Sequence, residues 1–153
     1  MSRIEEALAA RGIELPPAPA PVAAYVPVRV AGNLAFVSGQ LPFEGGAVSL
    51  TGRVGDDVTV EAAVAGARRC ALQALAALRD ALGSLDRVTG IVQLSVFVAS
   101  APGFTGQPAV GNGASELLVE LLGEAGRHAR VAVGVAELPL GAAVEVAVVA
   151  LID

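Results

Sequence analysis

Two charged side chains lie inside apolar, strand-like runs near the end of this 153-residue sequence. The segment from His128 to Ile152 reads HARVAVGVAELPLGAAVEVAVVALI, and Arg130 and Glu145 fall within its two runs. An unpaired charge at such a position costs several kcal/mol, on the order of the effective desolvation penalty for one ion. The planar guanidinium of arginine binds a carboxylate through two parallel hydrogen bonds. Arg130 is therefore a candidate to bind the carboxylate of a small substrate.

The spacing of the two runs leaves the partner of Arg130 open. Strand alternation places Arg130 on one face with Ala132 and Gly134, whose small side chains leave space around it. If the runs form a hairpin about residues 138–140, Glu145 lies on the same face but roughly 13 Å away, too far for a salt bridge. Arg130 then binds a substrate carboxylate, pairs with an acid of a neighbouring subunit, or extends to water at the sheet edge. Glu145, for its part, could be an interface residue that backbone donors satisfy.

Other polar residues offer weaker candidates. His128 is the only histidine, which excludes a multi-histidine metal site, and its neighbour Arg127 suggests a solvated loop. Cys70 is the only cysteine and falls near the apolar stripe of a predicted helix, which indicates a buried, unreactive thiol. Asn112 lies in a Gly-Asn-Gly sequence inside a helical pattern and is expected to face a cavity. We find no nucleotide-binding glycine motif and no nucleophile elbow, and we expect neither a metal nor a cofactor.

The composition favours a single domain that associates with other copies of itself. Hydrophobic residues make up 54% of the chain and charged residues 16%, against typical shares of about 45–50% and about 25%. We attribute the excess partly to an alanine-rich composition and partly to apolar surface at a subunit interface. The net charge of −5 argues against nucleic-acid binding, and so does the cationic set, which consists of scattered arginines rather than a cluster. A single cysteine and the lack of an apolar run of about 18 residues predict a cytoplasmic protein that neither contains a disulfide nor spans a membrane.

Hydrophobic periodicity predicts an α+β fold. Residues 1–21 are expected to form an N-terminal helix capped by Ser2 and a proline-rich strap, and residues 22–153 a single domain. The domain is predicted to contain a hairpin at 26–37, a helix at 60–82, a strand at 88–99, a second helix from Pro108 to about Leu122, and a C-terminal hairpin. Val92 is assigned to the same face of its strand as Leu94. Both helices are expected on one face of a mixed sheet, which leaves the other face for a second molecule.

Three local patterns occur together in this chain. The run from Arg130 to Pro139 (RVAVGVAELP) is followed by Val144-Glu145-Val146, so that an arginine opens one strand, Leu-Pro marks a turn and a glutamate lies in the next strand. Val37-Ser38-Gly39-Gln40 ends an earlier strand, and Tyr25 follows the strap. Over about residues 22–152 the chain resembles the RidA/YjgF family of enamine/imine deaminases.

The resemblance implies a structure and an activity. Members of this family are homotrimers of chorismate-mutase-like α+β subunits, with ligand clefts between subunits. They hydrolyse reactive enamines and imines such as 2-aminoacrylate to 2-keto acids and ammonia. By this resemblance Arg130 would bind the substrate carboxylate and Glu145 would position a water molecule. Further substrate contacts are expected from Tyr25, Ser38, Gly39, Asn112 and Ala132.

The sequence also departs from the family pattern. Val131 stands where active members usually have Ser or Thr, Ala132 replaces a frequent Cys, and residues 1–21 lengthen the chain. These differences place the protein in a divergent branch. They leave open a second function, in which a non-catalytic trimer binds small carboxylate metabolites. RNA cleavage, which has been attached to some relatives, is disfavoured by the acidic net charge and the single histidine.

Overall fold

A computed structural model of the protein describes residues 2–20 and 23–153. The helices are α1 (Arg3–Ala10), α2 (Val60–Leu82) and α3 (Gln107–Leu122). The strands are β1 (Val28–Ala31), β2 (Leu34–Gln40), β3 (Phe43–Glu44), β4 (Ala47–Val48), β5 (Val88–Ala99), β6 (Ala129–Val135) and β7 (Val144–Ile152). Short 3-10 turns occur at Leu85–Arg87, Gly123–Gly126 and Pro139–Gly141.

Five of the strands form one mixed sheet in the order β1-β2-β7-β5-β6, and β3 pairs separately with β4. Within the large sheet β5 and β6 are parallel, and the other neighbours are antiparallel. The helices α2 and α3 pack on one face, where Leu94 and Val96 of β5 and Val146 of β7 are fully buried. The predicted α+β architecture, with both long helices on one face of a mixed sheet, is confirmed.

In the part of the chain that the structure describes, the opposite face of the sheet is left uncovered. Phe36 of β2 and Val131 and Val133 of β6 point to this side and are 43%, 45% and 44% exposed. Side chains of β7 alternate strictly between buried and half-buried along the strand, which agrees with one packed and one open face. The uncovered face therefore carries large apolar side chains in neighbouring strands.

The prediction of a C-terminal hairpin was wrong. β6 pairs in parallel with β5, and β7 inserts between β2 and β5, so that β6 and β7 are not neighbours. The helix α3 makes the crossover that a parallel β5–β6 pair requires. The Leu-Pro turn instead links an edge strand to a central strand. Local patterning cannot distinguish these cases, because two apolar runs around a turn fit either one.

One side chain of β5, that of Val92, lies on the face of the sheet opposite to the predicted one. The pairing of β5 with β7 shifts between Ile91 and Gln93, which marks a bulge. The bulge reverses the alternation, so that Val92 is 41% exposed while Leu94 is fully buried. The predicted common face of Val92 and Leu94 therefore fails at the irregularity, whereas residues 94–98 alternate as expected.

The N-terminal helix α1 is fixed to the domain at both ends. Ser2 caps it, since its hydroxyl accepts a 3.0 Å hydrogen bond from the Glu5 amide and its own amide donates to the Glu5 carboxylate at 2.9 Å. The bond from the Ser2 amide is the main cause of a lowered pKa of Glu5. Ile4 and Leu8 are buried in the core, and Arg11 donates to the Glu120 carbonyl in α3. The segment thus packs against the end of α3.

Close contact between the two long helices depends on Gly113. A Cβ atom at this position would overlap the backbone carbonyl group of Val64 in α2. A backbone atom cannot move aside as a side chain can, so any larger residue must push the helices apart. Gly113 therefore sets the distance between α2 and α3, and with it the height of α3 above the sheet.

We predict that Gly113→Ala destabilises the protein by about 1–3 kcal/mol, the usual cost of overpacking a core. Helix propensity alone predicts the opposite, a gain of about 0.5–1 kcal/mol. Urea denaturation measures the difference. Glu116→Ala, on the exposed side of the same helix, is the control and should change the free energy of unfolding by less than about 0.5 kcal/mol. A more stable Gly113→Ala variant would contradict the proposed contact.

Candidate functional site

Arg130 lies on the helix-covered face of the edge strand β6. The register places it beside Leu94 of β5, and its side chain reaches α3. Its Nη1 donates hydrogen bonds to Asn112 Oδ1 at 2.9 Å and to Ser115 Oγ at 3.2 Å. Its Nη2 donates to the Pro108 carbonyl oxygen at 3.3 Å. All three acceptors are neutral groups of one helix, so the guanidinium is oriented without being neutralised.

The Gly-Asn-Gly sequence of α3 explains how the guanidinium fits against a helix. A Cβ atom at Gly111 would lie 3.1 Å from Arg130 Nη1 and 3.3 Å from its Cζ, so the glycine leaves the room that the group occupies. Asn112 supplies the acceptor described above, and Gly113 contacts α2 on another side. Each residue of the motif thus has a separate role, and Asn112 faces Arg130.

The guanidinium keeps hydrogen-bonding capacity for a further acceptor. It has five N–H donors, and the three bonds to α3 leave one donor on Nε and one on Nη2. In the part of the chain that the structure describes, Arg130 forms no ion pair with a carboxylate, whereas Arg53, Arg68, Arg79, Arg87 and Arg127 each do. A charged, half-buried arginine in this state can bind an anion from outside the chain.

His128 does not lie in a solvated loop, as its neighbour Arg127 had suggested. It is half-buried, with Nε2 2.9 Å from Ser115 Oγ and Nδ1 2.6 Å from the Gly126 carbonyl oxygen. Sequence reasoning missed Ser115 and underrated His128. Two spacings could have indicated them: Ser115 follows Asn112 by one helical turn, and His128 precedes Arg130 by two residues of extended chain.

Glu145 lies on the uncovered face, on the central strand β7. The register aligns it with Phe97 of β5, which in turn aligns with Val133 of β6. The carboxylate lies against Gly39 of β2, where a side chain would collide with it. It lines a cavity of about 360 Å³ whose walls include Tyr25, Pro27, Phe43 and Leu140. Burial raises the pKa of the Glu145 carboxyl above its ordinary value.

The remaining predicted residues of this region have distinct places. Tyr25 and Gly39 line the cavity with Glu145, and both are exposed. The hydroxyl of Ser38 instead donates to the Val26 carbonyl at 2.7 Å, and the Ser38 carbonyl accepts from the Gln40 side chain at 2.9 Å. Ser38 thus anchors the segment before β1 to β2. Its contribution to the cavity is to position Gly39.

Leu140 at the cavity wall combines two unusual properties. It is 73% exposed, and its backbone has φ +59°, the left-handed region that favours glycine. Holding a leucine there costs on the order of 1–3 kcal/mol. The residue lies in the Pro139–Gly141 turn that carries the chain from β6 to β7. A large apolar side chain is therefore presented at the rim of the Glu145 cavity.

The site residues form two groups on opposite faces of the sheet. We call Arg130, Asn112 and Ala132 the cation half-site, and Tyr25, Gly39 and Glu145 the acid half-site. Arg130 and Glu145 were predicted to share a face, which was wrong because it assumed the C-terminal hairpin. From the register they are roughly 10 Å apart along the strands and roughly 10 Å across them, with the sheet between. A three-carbon ligand cannot contact both in one chain.

Cys70 is fully buried and its thiol makes only a weak contact with the Val144 carbonyl. Burial raises the pKa of this thiol strongly, so it stays protonated and is a poor nucleophile. Within the described ranges, no three His, Cys, Asp or Glu side chains cluster as metal ligands would. No helix among these residues is both long and apolar enough to cross a membrane.

Comparison with known proteins identifies the family. The family model described as "YjgF/chorismate mutase-like, putative endoribonuclease" matches residues 5–152. Protein TCP17 of Trypanosoma cruzi is 50% identical over 145 residues, covering 94% of this chain and 91% of that protein. Protein Atu1372 of Agrobacterium tumefaciens, of unknown function, is 47% identical, with a TM-score of 0.92 over 99% of this chain and 93% of its own.

A more distant solved structure carries the name RidA. RidA from the Antarctic bacterium Psychrobacter sp. PAMC 21119 is 30% identical, with a TM-score of 0.60 over 88% of this chain and 94% of its own. The family match extends over nearly the whole chain, including the arginine strand, the Leu-Pro turn and the glutamate strand. The chain belongs to the YjgF/RidA family.

Proposed function

We propose that this protein hydrolyses 2-imino acids and their enamine tautomers to 2-keto acids and ammonia. The observation that carries the proposal is the state of Arg130, which is held by three neutral acceptors and keeps two donors for a ligand. The substrate carboxylate binds at these donors. Family membership supports the reaction, because one solved relative is named RidA.

The complete site forms where two copies of the chain meet. Because the cation half-site and the acid half-site lie on opposite faces of one sheet, a substrate can contact both only if a neighbouring copy supplies one of them. The uncovered apolar face, with Phe36, Val131 and Val133, is the surface that such a copy covers. A closed ring of three protomers uses the same two surfaces at each contact and leaves none exposed.

In this arrangement the two half-sites divide the chemistry. Arg130 of one protomer fixes the carboxylate, and so places the imine carbon near Glu145 of the next. Glu145 accepts a proton from a water molecule as that water attacks the imine carbon. Glu145 passes this proton to the nitrogen and so forms the tetrahedral amino alcohol. The hydroxyl proton of that intermediate then moves to the nitrogen as the C–N bond breaks, so that ammonia leaves and the 2-keto acid remains. The free imine already hydrolyses readily, so the protein contributes mainly by holding the substrate and the attacking water in position.

Val131 favours a second candidate, a trimer that binds small carboxylates without turnover. Val131 lies next to Arg130, faces the uncovered side of the sheet and brings no hydroxyl to the interface. The two functions share the Arg130 contact and differ in whether Glu145 activates water. Turnover therefore separates them.

We predict that the purified protein accelerates the loss of 2-iminopropionate generated in situ by an amino-acid oxidase. Arg130→Ala should lower kcat/KM by about 10- to 150-fold, the equivalent of about 1.5–3 kcal/mol for a hydrogen bond to a charged group. Arg53→Ala, which removes an exposed arginine paired with Glu137, is the matched control and should retain activity. Equal rates with and without protein over several imines would exclude the deaminase function, and binding without turnover would favour the second candidate.

Complementation tests whether the site spans two protomers. Arg130→Ala and Glu145→Gln alone should each keep at most about a tenth of the wild-type rate. When the two variants are unfolded together and refolded as mixed trimers, about a quarter of all sites should pair an intact Arg130 with an intact Glu145. We expect about a quarter of the wild-type rate. No recovery in trimers shown to be mixed would mean that one protomer holds the whole site.

The uncovered face can be tested by oligomeric state. Val133→Asp places a charge in the proposed interface and should shift the mass from trimer to monomer in light scattering coupled to size-exclusion chromatography. Ala65→Asp, on the exposed side of α2, should remain a trimer. A monomeric wild-type protein, or a trimeric Val133→Asp, would contradict the assignment of this face.

Glu145 should make the stability of the protein depend on pH. Because burial raises its pKa, the folded protein takes up a proton at this carboxyl before the unfolded chain does. Ionisation therefore destabilises the fold, and the loss grows as pH rises from the ordinary value of 4.5 through the raised one. Glu145→Gln should have a higher Tm than wild type at pH 8, and the difference should shrink by pH 4. A Tm difference that does not change with pH would contradict the raised pKa.

A further inference from the structure

We propose that Ser115 and His128 are positioning residues for Arg130, and that together they direct its free donors toward the ligand carboxylate. Neither residue contacts the ligand in this proposal. This proposal rests on the proposed function only where turnover is measured. The series of hydrogen bonds lies within one protomer, so it can also be studied without substrate.

With a neutral His128 ring, the direction of every hydrogen bond in this series follows from the acceptor at one end. The Gly126 carbonyl oxygen can only accept, so the bond of 2.6 Å requires a hydrogen on His128 Nδ1. In a neutral ring Nε2 then carries the lone pair and accepts the Ser115 hydroxyl hydrogen at 2.9 Å. The Ser115 oxygen, its hydrogen committed, accepts from Arg130 Nη1 at 3.2 Å. Each group therefore donates to the next in one direction, from the Arg130 guanidinium through Ser115 and His128 to the Gly126 carbonyl oxygen.

The local sequence brings these groups together. His128 and Arg130 are two residues apart in extended chain, so both face α3. Ser115 lies one helical turn after Asn112, so the two side chains accept from the same nitrogen of Arg130. At Gly126 a Cβ atom would overlap the Leu118 carbonyl group, so only glycine lets this turn approach α3 closely.

The bonds to Asn112 and Ser115 use both hydrogens of Nη1. Because two acceptors hold Nη1, the guanidinium plane cannot rotate about the terminal side-chain torsions without breaking one of these two hydrogen bonds. The donors on Nε and Nη2 then keep one direction before the ligand arrives. Without Ser115 the group loses one of its two Nη1 anchors, and binding must restore the orientation. The expected cost is that of immobilising one side chain on binding, roughly a three- to tenfold weaker affinity.

Four variants in matched pairs test the proposal. Ser115→Ala removes the hydroxyl, and Ser115→Thr keeps it. His128→Leu removes the acceptor, and His128→Gln offers an amide oxygen near the position of Nε2. For imine hydrolysis we expect KM to rise about three- to tenfold in Ser115→Ala and His128→Leu, with kcat close to that of wild type. Ser115→Thr and His128→Gln should recover most of the wild-type KM. The same order should appear in pyruvate affinity measured by calorimetry.

A measurement without substrate separates this proposal from the function. Arginine side-chain signals in a ¹⁵N NMR spectrum, with Arg130 identified by Arg130→Lys, report rotation of its Nη groups. We expect slow rotation in wild type, Ser115→Thr and His128→Gln, and fast rotation in Ser115→Ala and His128→Leu. If the wild type neither hydrolyses imines nor binds pyruvate, the proposed function fails while this spectrum still decides the role of Ser115 and His128. Fast rotation in all five proteins, or KM values that do not separate the pairs, would overturn the proposal.

Discussion

Arg130 carries a full positive charge at the edge of a sheet whose helix-covered side is apolar, and the acceptors around it are all neutral. The acceptors satisfy three donors and fix the direction of the other two without cancelling the charge. This balance determines the surroundings: a glycine where the group needs room, an asparagine and a serine on one helix face, and a histidine that orients the serine. A carboxylate within the chain would have made the same arginine a structural ion pair.

The sheet gives the site its division into two. β6 is an edge strand and carries Arg130 on the packed side, whereas β7 is central and carries Glu145 on the open side. Within one protomer, a small ligand at one half-site cannot contact the other half-site. In the proposed trimer, the apolar side chains that surround the acid half-site are both part of an interface and part of a cavity wall. Under that proposal, assembly and ligand binding use the same surface.

Much of the fold was predictable, because its elements have strong local signals. The stripe of α2, the cap at Ser2 and the alternation of β5 each follow from residue spacing alone. The C-terminal hairpin was predicted wrongly because strand order depends on contacts between distant segments, which a turn signal does not encode. The bulge at Ile91–Gln93 reversed Val92 for a similar reason. In the site, Arg130 and Glu145 stood out as charges in apolar runs, but Ser115 did not, since a serine in a helix is ordinary until its partner across the fold is known.

The missing side chain at position 113 has an effect beyond the two helices that meet there. Because Gly113 has no side chain, the Val64 carbonyl group packs directly against it, and this contact sets the height of α3 above the sheet. The same helix carries every acceptor that binds the Arg130 guanidinium. Under the proposed function, substitutions in the packing between the helices can therefore change ligand preference while every residue that touches the bound molecule stays unchanged.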